Sequence, residues 1–337
     1  MRAVAYQTPL PITSASALVD VDLPVPVATG HDLLVEVRAI SVNPVDTKIR
    51  QSTAPQDGEW KVLGWDAAGV VTAVGPDVTG FRPGDEVYYA GAINRPGTNA
   101  QFHLVDERIA GHKPKTLDFA AAAALPLTAI TAWEMLFDRL DVARPVPGAA
   151  NAIVIIGGAG GVGSIAIQIA RALTDLTVIA TASRPQTQAW VRELGAHHVI
   201  DHRQPIAAQV AALGLGQPAF VFSTTNTDEH YADSIELLAP QGRFGLIDDP
   251  RDLNAMPLKR KALSLHWEMM FTRSLFSTPD MNQQRVLLDR ISALVDLGRI
   301  RTTLADDFGP INAENLMRAH ALIESGTAKG KIVLSGF

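Results

Sequence analysis

The sequence predicts an α/β protein in two parts, one rich in short strands and the other a doubly wound parallel sheet. Three observations carry that prediction. Turn residues recur through the first 125 residues, at Pro24, Pro26, Gly30, Gly75-Pro76, Gly80, Pro83-Gly84 and Pro96-Gly97, which is the density of a strand-rich module. From Ile153 onward β-favouring runs alternate with helical patterns. Between the two, Ile153-Val-Ile-Ile-Gly-Gly-Ala-Gly-Gly-Val-Gly163 runs four apolar residues into a glycine turn and then into a helical pattern.

Bulk properties bound the rest. A chain of 337 residues exceeds what one core usually covers, so two domains are expected. A net charge of −6 and the lack of a Lys/Arg-rich run argue against nucleic acid or an anionic membrane as the main partner. The opening Met1-Arg-Ala-Val-Ala-Tyr is strand-like rather than a signal core, and no run of 18 apolar residues stands out, so a cytoplasmic, membrane-free protein is expected. With no cysteine, disulfides, thiolate metal sites and cysteine nucleophiles are excluded together.

In chain order, Leu34 to Ala39 alternates Val35 and Val37 against Glu36 and Arg38, as a half-buried strand does. Ala120 to Ala124 and Leu125-Pro126 lead into helical material, with a helix expected over Thr131 to Leu140 and a surface loop at Pro145 to Gly148. After Ile153 come strands at Thr177 to Thr181, His198 to Ile200, Ala219 to Phe222 and Arg243 to Ile247, with a helix around Trp190, Val191 and Leu194. A helix from about Asp280 to Leu297 stops at Gly298; Asn312 caps a last helix through Ser325, and Lys331 to Leu334 forms a closing strand.

The glycine turn carries the chemistry. Gly158, Gly160 and Gly163 hold GxGxxG spacing: one for the tight turn, one for close approach of backbone to a pyrophosphate, one for helix against strand. Ile165, Ile169 and Leu173 share one helix face, so the amides of Gly161, Val162 and Gly163 and the positive helix end are directed at phosphates. About twenty residues on, where an NAD-selecting site places an acid, the chain reads Thr181-Ala-Ser-Arg184; Ser183 and Arg184 suit a 2′-phosphate, so NADPH is the expected cofactor, the bland alternative being a solvated loop arginine. The nine histidines show no paired-ligand spacing, and no metal is assigned.

Gly64-Trp-Asp-Ala-Ala-Gly69 with Gly75 and Val78 resembles the zinc signature of the medium-chain dehydrogenase/reductase superfamily, with Trp65 in the place of a zinc-binding His. Ser41-Val-Asn-Pro-Val-Asp46 is similar to the segment that supplies a cysteine ligand, and Asn43 takes that place. Two of three zinc ligands are thus replaced, and the four-cysteine lobe is absent. Asn43 to Arg50, Gly80 to Val87, Ala124 to Trp133 and Gly330 to Leu334 resemble the zinc-free, zeta-crystallin-like quinone oxidoreductases over nearly the whole chain, and bacterial members labelled zinc-type alcohol dehydrogenase-like are the most similar. Many quinone oxidoreductases have Tyr where Lys48 stands.

The resemblance implies a GroES-like catalytic domain at 1–125 and 273–337 and a Rossmann domain at 126–272. It also implies cofactor contacts from Thr128, Thr131 and Lys331, with His202 near the adenosine end, and places Asn43 by the ribose or substrate. Asp46 is readable as a pKa-shifted acid or a buried salt-bridge partner, and Lys48 as a proton donor or a solvated lysine. Trp267, Phe271 and Phe276 suit a substrate wall or a dimer strand, with core packing as the default. The expected activity is NADPH-dependent hydride transfer to a quinone or α,β-unsaturated carbonyl without metal, by a homodimer. The alternatives are an enoyl-thioester reductase and a non-catalytic NADPH-binding structural or regulatory protein.

Overall fold

Alternation and turns build the first third of the chain, as β1 (Arg2–Tyr6), β2 (Val19–Asp22), β3 (Asp32–Val42), helix α1 (Pro44–Ser52), β4 (Lys61–Val62), β5 (Ala67–Val74), β6 (Glu86–Tyr89), β7 (Phe102–Asp106) and β8 (Ala110–His112). Helices α2 (Phe119–Ala123) and α3 (Pro126–Trp133) follow, and α3 continues into a π-helix at Glu134–Arg139. Strand and helix then alternate through β9 (Ala150–Ile156), α4 (Gly161–Leu173), β10 (Thr177–Thr181), α5 (Pro185–Glu193), β11 (His198–Ile200), α6 (Ile206–Ala212), β12 (Pro218–Ser223), α7 (Thr227–Leu237), β13 (Arg243–Leu246) and β14 (Ser264–Trp267). The chain closes with α8 (Thr272–Leu275), α9 (Gln283–Asp296), β15 (Leu304–Asp307), α10 (Ala313–Glu324) and β16 (Lys331–Ser335). This computed structural model describes residues 1–337 and divides into two units, Met1–Ile130 with Phe271–Phe337, and Thr131–Met270.

The first unit holds a three-stranded sheet, β2-β1-β4, and a seven-stranded one in the order β15-β16-β3-β5-β6-β8, with β7 also paired to β3. In β3, Val35 and Val37 are buried while Arg38 reaches out to Glu36 at 2.9 Å, the alternation of a strand with one covered face. Gly69 is glycine because a Cβ there would sit 2.2 Å from the Glu36 carbonyl of the neighbouring strand. At the end of β3 the Asn43 N–H donates to Asp46 Oδ2 at 2.7 Å, and Pro44 occupies the first turn, so α1 starts at once. Strand β16 runs antiparallel to β3 with Ile332 opposite Val42, which sets Lys331 beside Asn43.

In the second unit all six strands are parallel, in the order β11-β10-β9-β12-β13-β14. This is the doubly wound arrangement, with the order reversing beside β9. Ile153 to Ile156 are buried throughout, which is why the central strand reads as an unbroken apolar run.

Three expectations shift. The helix expected over Thr131 to Leu140 begins earlier, at Pro126, where proline suits a first turn, and its last part winds as a π-helix. Helix α9 starts at Gln283 rather than Asp280, since the Asp280 carboxylate is held by Arg273 at 3.0 Å and Thr278 at 2.6 Å. The stretch Phe119–Arg139, 21 residues containing an 18-residue window of mean hydropathy 1.4, is long and apolar enough to cross a membrane, but 78% of that window is buried within the protein, as in a core helix.

Candidate active site

A buried ionic cluster forms in the first unit where β3 gives way to α1. Asp66 has no exposed surface, and its Oδ2 accepts from Asn43 Nδ2 at 2.8 Å and Ser41 Oγ at 3.1 Å, with Lys331 Nζ at 3.2 Å. Its Oδ1 accepts from the Leu127 amide at 2.8 Å. Lys331 Nζ also donates to the Val42 carbonyl at 2.8 Å and to Asn43 Oδ1, so all three ammonium protons have protein acceptors. Asp46 lies in the same cluster, and desolvation pushes its carboxyl up to about 7 against the opposing pull of the Asn43 amide and the Lys331 charge. Burial likewise raises the pKa of Asp66 and lowers that of Lys331.

Zinc does not fit these residues. The Trp65 side chain is buried, donates from Nε1 to the Ala92 carbonyl at 3.3 Å and meets Phe271 edge-on at 6.2 Å, so an indole fills the ligand position of the zinc signature. The Asn43 amide is engaged on both its oxygen and its nitrogen. An ammonium group already stands against Asp66, and nowhere do three or more His, Asp or Glu gather as a ligand set.

The second unit presents a cradle of the shape a dinucleotide needs. Strand β9 ends at Ile156, Gly157 turns with φ +78°, and α4 begins at Gly161 with Gly160 as its N-cap. Gly163 is required by packing, because a Cβ there would lie 2.3 Å from the Gly157 carbonyl and 2.7 Å from Gly158 Cα. Gly158 is nearly as constrained, with Ala180 Cβ at 2.9 Å. Gly160 is different: its φ is −73° and the nearest protein atom to an added Cβ is 3.5 Å away. No protein group therefore demands glycine there. Gly161 and Val162, half-buried, open the helix, where first-turn amides have no intrahelical acceptor.

At the end of β10, Ser183 and Arg184 are half-buried and Arg184 is the N-cap of α5. A residue that sequence reasoning missed joins them: Arg203 donates to the Ser183 carbonyl at 2.9 Å while paired with Asp201 at 2.6 Å. The acid after β11 is thereby neutralised, and its pKa is lowered to about 2 by Arg203. His202 faces His230 at 6.1 Å between ring centres.

The remaining expected positions are as follows. Asn43, Asp46 and Lys331 are brought together, with Asp66 as the organising carboxylate that sequence reasoning overlooked. Lys48 stands on the exposed side of α1, apart from them. Thr128 and Thr131 are buried on one helical stretch, and Thr128 Oγ1 bonds back to the Leu125 carbonyl at 3.1 Å. Phe271 packs in the core, whereas Trp267 on the edge strand and Phe276 are 50% and 71% exposed and do not meet the core default.

Known proteins match this chain over nearly its whole length. Residues 29–115 match the family model for the alcohol dehydrogenase GroES-like domain and residues 194–334 that for zinc-binding dehydrogenases. A zinc-type alcohol dehydrogenase-like protein of Staphylococcus aureus strain Mu50 is 40% identical over 99% of this chain and all of its own. The quinone oxidoreductase of Lama guanicoe is 29% identical, over 93% of this chain and 91% of its own. Among solved structures, a Rhizobium etli CFN 42 protein provisionally assigned as a zinc-dependent alcohol dehydrogenase is 69% identical with a TM-score of 0.98, covering 100% of this chain and 98% of that one. A GroES-like strand-rich unit, a doubly wound parallel sheet and relatives at this level together mean that the chain belongs to the medium-chain dehydrogenase/reductase superfamily of oxidoreductases.

Proposed function

We propose that the protein is an NADPH-dependent reductase of quinones or small α,β-unsaturated carbonyls that works without a metal. The observation that carries this reading is the replacement of the zinc position by a packed Trp65 and a Lys331–Asp66 ion pair. A zinc-dependent alcohol dehydrogenase holds the developing alkoxide with a Lewis acid, for which this residue set offers no ligands. A quinone or enone spreads the incoming negative charge over its own conjugated atoms, so hydrogen bonds suffice. NADPH supplies the hydride. The chain's residues bind it: the Gly158 to Gly163 turn for the pyrophosphate, Ser183 and Arg184, reinforced by Arg203, for the 2′-phosphate.

In this reading Asn43 and Lys331 serve as a rigid, charge-balanced floor rather than as free donors, because their polar atoms are committed to Asp66 and to each other. Lys48, on the exposed side of α1, and water remain as sources of the proton that completes reduction. The quinone oxidoreductase similarity supports the acceptor class. We also assign a homodimer, on the strength of the open edge of β14 with its half-exposed Trp267.

The test is oxidation of NADPH by the purified protein across quinones, enones, enoyl thioesters and simple alcohols. Quinones or enones should turn over and alcohols should not. Preference for enoyl thioesters would move the assignment to that acceptor class. Binding of NADPH with no turnover of any acceptor would move it to a non-catalytic role.

A further inference from the structure

We propose that Glu134 and Glu268 share a single proton, and that this bridge, closed by Arg139, is a positioning device holding the carboxyl end of β14 where the nicotinamide half of the dinucleotide lies. The proposal rests on the cofactor reading above. Two glutamates are buried together in the second unit, Glu134 with no exposure and Glu268 with 4%. Strand β14, which Glu268 continues, packs against the π-helix that carries Glu134 and Arg139. Arg139 Nε stands 2.7 Å from Glu268 Oε2 and can neutralise one negative charge. Two ionised carboxylates in such a place would leave one buried charge uncompensated, so a proton is retained between them. Burial first, and the neighbouring Glu134 second, raise the Glu268 carboxyl well above the ordinary range.

The local winding serves this arrangement. Residues five apart point away from each other on an α-helix, whereas the wider π turn, closed by the Leu140 N–H to the Met135 carbonyl at 2.8 Å, brings Glu134 and Arg139 to the same side. Gly245 of β13 lets that turn approach: a Cβ there would be 2.2 Å from Met135 Sδ. Glu268 continues β14 at its carboxyl edge, with its N–H donating to the Leu246 carbonyl at 3.1 Å. In a doubly wound sheet the second mononucleotide half lies over the strands beyond the switch point, here β12 to β14. Thr131, the expected nicotinamide contact, is one helical turn before Glu134. The other charged groups nearby are His266 on β14, whose pKa burial lowers, and Arg243 on β13, which donates to the Leu140 and Asp141 carbonyls.

Glu134→Gln keeps size and a donor while removing the shared proton, and Glu268→Gln is the second variant in case the first does not fold. Two measurements are made on the full chain. In the cofactor-free protein, a carboxyl raised in the folded state contributes stability that is present below the ordinary glutamate value, about 4.3, and is lost as pH rises into the alkaline range. Wild type should therefore lose stability with pH more steeply than Glu134→Gln. For NADPH, the dissociation constant of wild type should weaken roughly tenfold on alkaline loss of the proton, and that limb should vanish in Glu134→Gln. Equal stability slopes in the two proteins, or an alkaline limb unchanged by the substitution, overturns the proposal. If wild type binds neither NADPH nor NADH at any pH, the cofactor reading and the positioning role both fall, and the cofactor-free slope shows separately whether the proton is shared.

Discussion

Asp46 is where burial and charge are most finely balanced. Its carboxyl is fully enclosed, it accepts the Asn43 amide, and desolvation outweighs both that bond and the Lys331 charge, so it titrates at about 7. The folded value is above the unfolded one, about 3.9, so the associated stability is present below pH 4 and lost as pH rises through 7, a span worth about 4 kcal/mol. Asp46→Asn keeps an acceptor for the amide and removes the titration. Urea unfolding across that window should give a flatter pH dependence in the variant, with the residual slope coming from Asp66; parallel curves would refute the raised value. The proposed preference for NADPH also rests on single residues. Removing a hydrogen bond to a charged group costs roughly 1.5 to 3 kcal/mol, so Arg184→Ala should weaken NADPH by about 10-fold to 150-fold and leave NADH nearly unchanged. Arg203→Ala should weaken NADPH too, though less, because Arg203 already holds Asp201. Equal losses for both cofactors would mean that these arginines only shape the loop.

The strand, glycine turn and helix from β9 to α4 show which elements announce themselves. An unbroken apolar strand, a turn with spaced glycines and a one-sided helix are all local, and the sequence displays each of them. By contrast, α6 is short and alanine-rich, and β14 lies at an edge with its end residues exposed, so neither shows the period that betrays an element. The π-helix was hidden because its apolar pattern suits an α-helix equally well. Within the glycine turn, Gly163 and Gly160 differ in what an added Cβ would meet. Gly163→Ala forces a Cβ into the Gly157 carbonyl and should destabilise the protein by about 1 to 3 kcal/mol. Gly160→Ala has both space and an ordinary backbone conformation, so thermal stability should be unchanged or slightly higher. Its methyl group would instead crowd the pyrophosphate, and NADPH affinity should fall at least about tenfold. A Gly160→Ala protein that is stable and binds NADPH normally would show that the cradle holds nothing so close.

At the scale of the whole molecule, what could not be read beforehand is contact between distant segments. Lys331 and Asn43 are 288 positions apart, and neither periodicity nor turn chemistry says that β16 will lie on β3 with Ile332 opposite Val42. Asp66 was passed over for the same reason, since as a lone acid in Gly64 to Gly69 it shows its purpose only once Asn43, Ser41, Leu127 and Lys331 surround it. That assembly also bears on a question raised by family resemblance, whether a chain bearing a zinc-type signature holds zinc. A zinc site needs deprotonated ligands at tetrahedral spacing, but here an indole packs on Phe271, an asparagine is bonded on both sides, and a lysine supplies the positive charge next to the Asp66 carboxylate. Purified protein should therefore contain far less than one zinc per chain by elemental analysis, and a chelator should change neither its melting temperature nor its rate of quinone reduction. Restoring a ligand tests the point from the other side: Trp65→His should not create a zinc enzyme, because Asn43 still takes the place of the cysteine ligand and Lys331 still stands against Asp66, and it should destabilise the fold by roughly 3 to 5 kcal/mol through loss of the buried indole. Stoichiometric zinc in wild type, lost together with activity on chelation, would reverse the metal-free assignment.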